Sequence, residues 1–147
     1  MRHYRFGFLL LILTLLAGCT ASGPLYREVA ATIPTVPADK GRIYFYRPDT
    51  MLGAAVTSDI TLNGRVVGKS ERAGFFYVDE EPGKCTVITS TEVEKQLTFT
   101  LDAGETKYVK TSVSMGFMVG RIQPELIANE QGEQDITELH YTGGKAQ

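Results

Sequence analysis

The sequence predicts an all-β fold, a small antiparallel β-sandwich of seven or eight strands with a short C-terminal helix. From Gly41 onward, short runs rich in Tyr, Phe, Val, Ile and Thr alternate with turn residues, at the spacing of about ten residues that is typical of sandwiches. No stretch of helical length between these runs carries the apolar period of an amphipathic helix. We expect one domain, because about 100 residues bury a single modest core.

The first predicted strand, RIYFYR, alternates between two faces. Ile43 and Phe45 share one face and are expected in the core, whereas Tyr44 and Tyr46 point to the other side. With Arg47 as a polar anchor, the outward tyrosines form a candidate partner-binding patch, because exposed aromatic residues often mark interaction sites.

Turn residues separate the later strands. Asn63-Gly64 indicates a two-residue hairpin, because both central positions of a type I′ turn take positive φ. Residues 81–83 and residues 102–104 combine Gly with Pro or Asp and separate two further pairs of strands. The short helix is expected around Asp135–Leu139, close to the C-terminus.

The run GRVVGKS, residues 64–70, resembles the phosphate-binding loop G-x-x-x-x-G-K-[ST], but it has three residues between its glycines instead of four. Such a loop also needs a following helix whose N-terminal amides face the phosphate, whereas Ala73–Val78 has the pattern of a strand. We therefore interpret the run as a hairpin whose second strand ends at Gly68, with Lys69 and Ser70 in the next turn.

The N-terminal segment has the pattern of a secretory signal. Phe6–Ala17 is an apolar stretch shorter than the roughly 20 residues of a membrane-spanning helix, and Arg2 and Arg5 precede it. Residues 16–19, Leu-Ala-Gly-Cys, resemble the lipobox of bacterial lipoproteins. The resemblance implies a diacylglycerol on the Cys19 thiol, cleavage before Cys19 and acylation of the new N-terminus, for example with palmitate. A plain secreted protein and a signal anchor are the alternatives.

This interpretation divides the chain into a cleaved signal peptide (1–18), lipidated Cys19 with a tether (19–40), the sandwich domain (41–142) and a tail (143–147). The tether is expected because this segment has little periodicity and several Gly and Pro, although LYREVAAT is expected to form one or two helical turns. Lipoproteins of Gram-negative bacteria with Asp after the lipidated Cys tend to stay in the inner membrane. Thr20 at that position therefore implies the outer membrane, with the domain facing the periplasm.

Charge argues against nucleic acid as a partner. Of the 15 Lys and Arg, two lie in the signal peptide, which leaves 13 against 17 Asp and Glu, a mildly negative balance. This balance offers no general attraction to nucleic acid or to anionic lipid. The expected membrane contact is therefore the lipid anchor itself.

Groups that could support catalysis or metal binding are few. His140 is the only histidine of the mature chain and is expected at the surface. Cys85, the only thiol left once Cys19 is acylated, is expected in the core; a nucleophile and an intermolecular disulfide are the alternatives. The acidic residues 79–81 are expected to form a solvated turn, with calcium binding as the alternative. We predict no catalysis, no metal and no cofactor.

The run SMGFMVGR, Ser114–Arg121, is a second candidate binding feature, because it is apolar, interrupted by Gly and rich in adaptable Met. One interpretation is a core strand with bulges. The other is a loop or edge that docks a partner or touches lipid, in which case Met115, Phe117 and Met118 make the contact.

Several stretches together resemble the bacterial lipoproteins that carry the domain of unknown function 2846. The resemblance covers about Ile33–Thr142 and is carried by PADKGRIYFYRP, ITLNGRVVGKS, AGFFYVDEEPGKC, STEVEKQLTFTLDAGETKYVKTSVSMG and VGRIQPEL. A looser similarity, in the order of the hairpins, extends to the PEGA and transthyretin-like sandwiches, which usually act as structural or surface-binding modules. The resemblance implies a location and a fold, and it implies no activity.

We therefore expect a non-catalytic outer-membrane lipoprotein whose periplasmic sandwich domain binds another component of the cell envelope, in the first instance a protein. A small-molecule or glycan-binding envelope module is the alternative, and an envelope hydrolase that depends on His140 ranks third. The oligomeric state stays open.

Overall fold

The computed structural model describes residues 20–118 and 120–143, which form two packed β-sheets and two short helices. The strands are β1 (Gly41–Arg47), β2 (Ser58–Leu62), β3 (Arg65–Ser70), β4 (Gly74–Glu80), β5 (Gly83–Ser90), β6 (Glu94–Leu101), β7 (Thr106–Ser114), β8 (Arg121–Ile127) and β9 (His140–Tyr141). Helix α1 (Tyr26–Val29) continues into a 3-10 turn (Ala30–Thr32), and helix α2 (Asn129–Ile136) precedes β9.

One sheet has five strands in the order β8-β7-β1-β4-β9, and the other has four in the order β3-β2-β5-β6. Neighbouring strands are antiparallel except for β1 with β7 and β4 with β9, which are parallel. The predicted all-β sandwich is confirmed. The described part of the chain holds nine strands where seven or eight were expected, and β9 is the shortest of them.

Side chains between the two sheets form the main core. Ile43 and Phe45 of β1 face inward, as the alternation predicts, and both are fully buried. Cys85 lies in the same core, as expected, and burial raises the pKa of its thiol. The other buried members of this core are Ile60, Leu62, Val67, Phe76, Val87, Leu101 and Val109.

The predicted turns are confirmed. Asn63 and Gly64 have φ angles of 50° and 82°, and Asn63 Oδ1 accepts a hydrogen bond from the Thr86 amide at 2.9 Å. The turns expected at residues 81–83 and 102–104 lie where β4 passes into β5 and β6 into β7. Local turn chemistry therefore sets these three strand boundaries.

Strand β3 runs to Ser70, so the expectation that it ends at Gly68 is wrong. Lys69 and Ser70 pair with the start of β2 and do not form a turn. Gly68 lies flat against the Phe76 ring, because a Cβ at this position would sit 2.5 Å from Phe76 Cζ. The second glycine of GRVVGKS therefore serves close packing between the sheets.

All seven residues of β1 are buried, because the outer face of the five-stranded sheet is covered as well. We call this outer cluster the aromatic layer; its members are Tyr44, Tyr46, Phe75, Tyr77 and Tyr108. Tyr26 and Val29 of α1 and Ile136 of α2 pack on it. Tyr44 and Tyr46 do point away from the main core, but they are only 6% and 2% exposed. The expectation that they form a surface patch is wrong.

Ring contacts and one hydrogen bond tie the aromatic layer together. Tyr44 stacks on Tyr108 with ring centroids 5.1 Å apart and an interplanar angle of 8°. The Tyr46 hydroxyl donates to Asp135 Oδ2 at 2.7 Å and so joins β1 to α2. The C-terminal helix starts and ends earlier than the expected residues 135–139, and its buried residue Ile136 packs on this layer.

Residues 20–34, expected to be part of a tether, lie against the domain. The Ala21 amide donates to the Arg72 carbonyl at 3.0 Å, and the Tyr141 amide donates to the Pro24 carbonyl at 2.8 Å. The helical turns expected in LYREVAAT are confirmed as α1 and the 3-10 turn. The tether interpretation is therefore wrong for this segment, because its apolar side chains leave water by covering the aromatic layer.

Substituting Gly68 with Ala is expected to destabilise the domain by about 1 to 3 kcal/mol, because the new methyl group must displace the buried Phe76 ring. Gly64→Ala meets no atom within 4 Å and carries only the backbone strain of its φ of 82°. Its cost should be about 1 kcal/mol. Lys69→Ala, at an exposed position, is the control and should stay within about 0.5 kcal/mol of the parent.

Urea denaturation of the three variants measures this order through their unfolding midpoints. A Gly68→Ala variant as stable as Lys69→Ala would contradict the packing role of Gly68.

Alkaline pH is expected to destabilise the domain, because the aromatic layer holds its tyrosines in the neutral form. Burial raises the pKa of Tyr46, and its hydrogen bond to the Asp135 carboxylate raises it further. Burial also raises the pKa of Tyr108. Above a pH of about 10 the unfolded chain releases protons that the folded chain retains, so the free energy of unfolding falls as pH rises.

Urea titrations from about pH 8 to about pH 12 measure this slope. Tyr46→Phe removes one titrating hydroxyl, so its slope should be shallower than that of the parent. At neutral pH the same variant should lose about 1 kcal/mol with the hydrogen bond to Asp135. Identical slopes in parent and variant would show that Tyr46 does not contribute.

Candidate functional site

Three loops lie at one end of the sandwich: residues 48–57 after β1, residues 91–93 after β5 and the residues after β7 that lead to β8. The turn between β3 and β4 lies at this end too, because Arg47 at the end of β1 pairs with Gly74 at the start of β4. We call the large apolar side chains that the first and the third of these loops expose the apolar tip; they are Met51, Leu52, Met115, Phe117 and Met118.

The members of the apolar tip are all more than half exposed to solvent. Phe117 is 91% exposed, Met118 82% and Met115 80%, and they lie in a loop between β7 and β8. The interpretation of this run as a core strand is therefore wrong; these residues lie in a loop, as the other interpretation expected, and its contact with a partner or lipid stays a prediction. Met51 and Leu52 are 76% and 53% exposed, and sequence reasoning did not single them out. Their signal is an apolar pair in a segment without strand periodicity.

The first and third loops pack side by side on Val113 of β7. A Cβ built on Gly53 would lie 2.3 Å from Val113 Cγ1, and a Cβ built on Gly120 would lie 2.6 Å from the same atom. Gly53 also has a φ of +67°, which favours glycine. The two loops therefore bring Met51 and Leu52 to the same end of the domain as Phe117.

Arg47 holds the first loop from inside the domain. Its guanidinium donates to the carbonyl of Val56 and, at 2.6 Å, to the carbonyl of Gly53. The side chain is fully buried, and burial, together with the positive charge of Arg72, lowers its pKa. Arg47 was expected to be a polar anchor for a partner; that expectation is wrong, because the guanidinium is committed to this loop.

Glu92 holds the third loop. Its carboxylate accepts hydrogen bonds from the Phe117 amide at 2.7 Å, the Met118 amide at 2.9 Å and Arg121 Nε at 3.0 Å. Bonds to an ionised acceptor are stronger than neutral ones, so this contact shapes the backbone that presents Phe117. No local pattern marks Glu92, because the residues that it binds lie 25 or more positions further along the chain.

The other candidate groups have structural contacts. His140 lies in β9 and is partly exposed, with Nδ1 2.5 Å from the Gly23 carbonyl oxygen. The acidic residues 79–81 diverge, because each pairs with a different cation: Asp79 with Arg42, Glu80 with Arg65 and Glu81 with Lys40. Across residues 20–118 and 120–143, no three potential metal-binding side chains cluster. No helix within these ranges is long and apolar enough to span a membrane.

Comparison with known proteins identifies a family. The family described as "Protein of unknown function (DUF2846)" matches residues 37–122, more than half of the 147 residues. A protein of Haemophilus influenzae described as uncharacterized is 25% identical over 99 residues, which are 67% of this chain and 58% of that protein, less than two thirds of its length. No solved structure matches the chain. The family match spans β1 to β7 and thus both sheets, so the resemblance seen in the motifs is confirmed and the chain belongs to the DUF2846 family.

Proposed function

We propose that the protein is a non-catalytic outer-membrane lipoprotein, acylated on Cys19, whose periplasmic domain binds another envelope component through the apolar tip. The observation that carries the proposal is the exposure of the five large side chains of the tip. Large apolar side chains gathered at one exposed end of a folded domain often mark interaction sites. The other residues predicted to bind a partner are buried, which leaves the tip as the candidate surface.

The construction of the tip supports a binding role. Arg47 and Glu92 hold two of its loops through hydrogen bonds to backbone groups. Loops held in this way lose less conformational entropy when they bind. Methionine side chains on such loops adapt to partners of different shape.

Attachment to the membrane rests on the sequence pattern, because Cys19 lies outside the described residues. The lipobox-like Leu16–Cys19 follows a charged and then an apolar segment, as in lipoprotein signals. Two or more acyl chains hold a protein on a membrane stably, whereas one chain alone binds only marginally.

Catalysis has less support than binding. The Cys85 thiol is buried, and the Nδ1 atom of His140 contacts the Gly23 carbonyl oxygen, where a Ser-His-Asp arrangement would place a carboxylate. Binding of a small molecule or a glycan remains the alternative. The side chains of the apolar tip offer such a polar ligand few hydrogen bonds.

Replacing Cys19 with Ser is expected to abolish labelling by radioactive palmitate and to remove the protein from the outer-membrane fraction, because the thiol that receives the lipid is lost. The matched control is Cys85→Ala, which removes the other cysteine and should keep both labelling and fractionation. A Cys19→Ser protein that still fractionates with the outer membrane would contradict the proposed anchoring.

A photoactivatable amino acid at position 117 is expected to crosslink to an envelope component in intact cells. The same group at position 66 should not, although Val66 is also an exposed apolar residue, because β3 carries it at the opposite end of the sandwich. Mass spectrometry of the adducts is the measurement. Crosslinks from position 66 alone would place the binding surface away from the tip.

A further inference from the structure

We infer that the apolar tip rests on the lipid surface in which Cys19 is anchored, so that the domain meets the membrane at two places, through its acyl chains and through the tip. This inference depends on the proposed acylation of Cys19. It names the envelope component that the tip binds as the bilayer itself.

Thr20, the first described residue, lies at the same end of the domain as the apolar tip. Thr20 forms a β-bridge with Arg72 in the turn between β3 and β4, and Arg72 Nε donates to Asp49 of the first tip loop. Cys19 directly precedes Thr20, and neighbouring Cα atoms are about 3.8 Å apart. Acyl chains on Cys19 therefore leave the protein beside the loop that carries Met51 and Leu52.

Because the N-terminal segment packs on the domain, it cannot act as a flexible tether that separates the domain from its anchor. A flexible chain of the length of residues 20–40 would hold the domain about 25 Å from its anchor on average. Here the bridge at Thr20 and the hydrogen bond from Ala21 hold the first two described residues on the domain. An anchor at Cys19 consequently brings this end of the sandwich to the membrane surface.

The chemistry of the tip suits lipid better than a protein partner. Two ion pairs among its loops, Asp49 with Arg72 and Glu92 with Arg121, commit these four charges to one another and not to an ionic partner. Stable protein interfaces take about 20 to 30 residues on each side, whereas the tip offers five apolar side chains. A few flexible Met and aromatic side chains are enough to enter the boundary between lipid headgroups and acyl chains.

Tryptophan fluorescence tests the inference, because the chain has no tryptophan of its own. The acylated protein carrying Phe117→Trp is placed in vesicles of phosphatidylethanolamine and phosphatidylglycerol with brominated acyl chains, which quench an indole at close contact. Val66→Trp is the matched control at the far end. Val66 lies four residues of β3 from Ser70 at the tip end, about 13 Å at about 3.3 Å per residue, so the control indole lies away from the surface.

We expect the indole at position 117 to be quenched severalfold more strongly than the one at position 66, with little effect of salt because the contact is apolar. Met118→Trp provides a second tip position, and equal unfolding midpoints establish that each variant is folded. Quenching that is equally weak at positions 117, 118 and 66 in an acylated protein would overturn the inference and favour a protein partner for the tip. A protein mass without acyl chains would instead overturn the proposed anchoring, and the inference with it.

Discussion

The structure depends on a strand that is apolar on both faces. Strand β1 presents Ile43 and Phe45 to the core between the sheets and Tyr44 and Tyr46 to the opposite side, and all seven of its residues are buried. A two-layer sandwich would leave the second face in water. Burying a large side chain contributes about 1.5 to 3 kcal/mol, so covering this face stabilises the fold substantially. The cover comes from the two ends of the chain, α1 and α2.

Two buried arginines connect β1 to the segments around it. Near its start, Arg42 donates to both carboxylate oxygens of Asp79 and to the Pro34 carbonyl, and it lies over the Tyr77 ring. The hydrogen bonds to Asp79 raise the pKa of Arg42 despite its burial. At the other end, Arg47 binds the carbonyls of the first tip loop. One arginine thus fastens the N-terminal segment, and the other shapes the candidate binding surface.

This arrangement links folding to the proposed attachment. Tyr26 and Val29 pack the N-terminal segment on the aromatic layer, and the bridge to Arg72 holds Thr20 on the domain. A lipid on the preceding residue would then orient the whole domain relative to the bilayer. The same packing leaves the loops that carry Met51 and Phe117 at that end, with no described segment of the chain covering them.

Local patterns in the sequence were sufficient for much of the fold. The alternation in RIYFYR correctly separated Ile43 and Phe45 from Tyr44 and Tyr46, and Asn63-Gly64 located a hairpin, because strand period and turn chemistry depend on neighbouring residues alone. The lipobox-like pattern ending at Cys19 is likewise local. These features could be read without knowing which distant segments meet.

Only the tertiary structure decided which faces and loops are free. Tyr44 and Tyr46 are buried because α1 and α2, which lie far from β1 in sequence, pack over them. Met115, Phe117 and Met118 project because Glu92 binds the loop backbone from another hairpin. By itself, the sequence determined the strand class and the turns, and it supplied the lipobox-like pattern on which the proposed anchoring rests. Burial and exposure depend on long-range packing that no short pattern contains, and so only the tertiary structure decided which of the candidate residues are exposed.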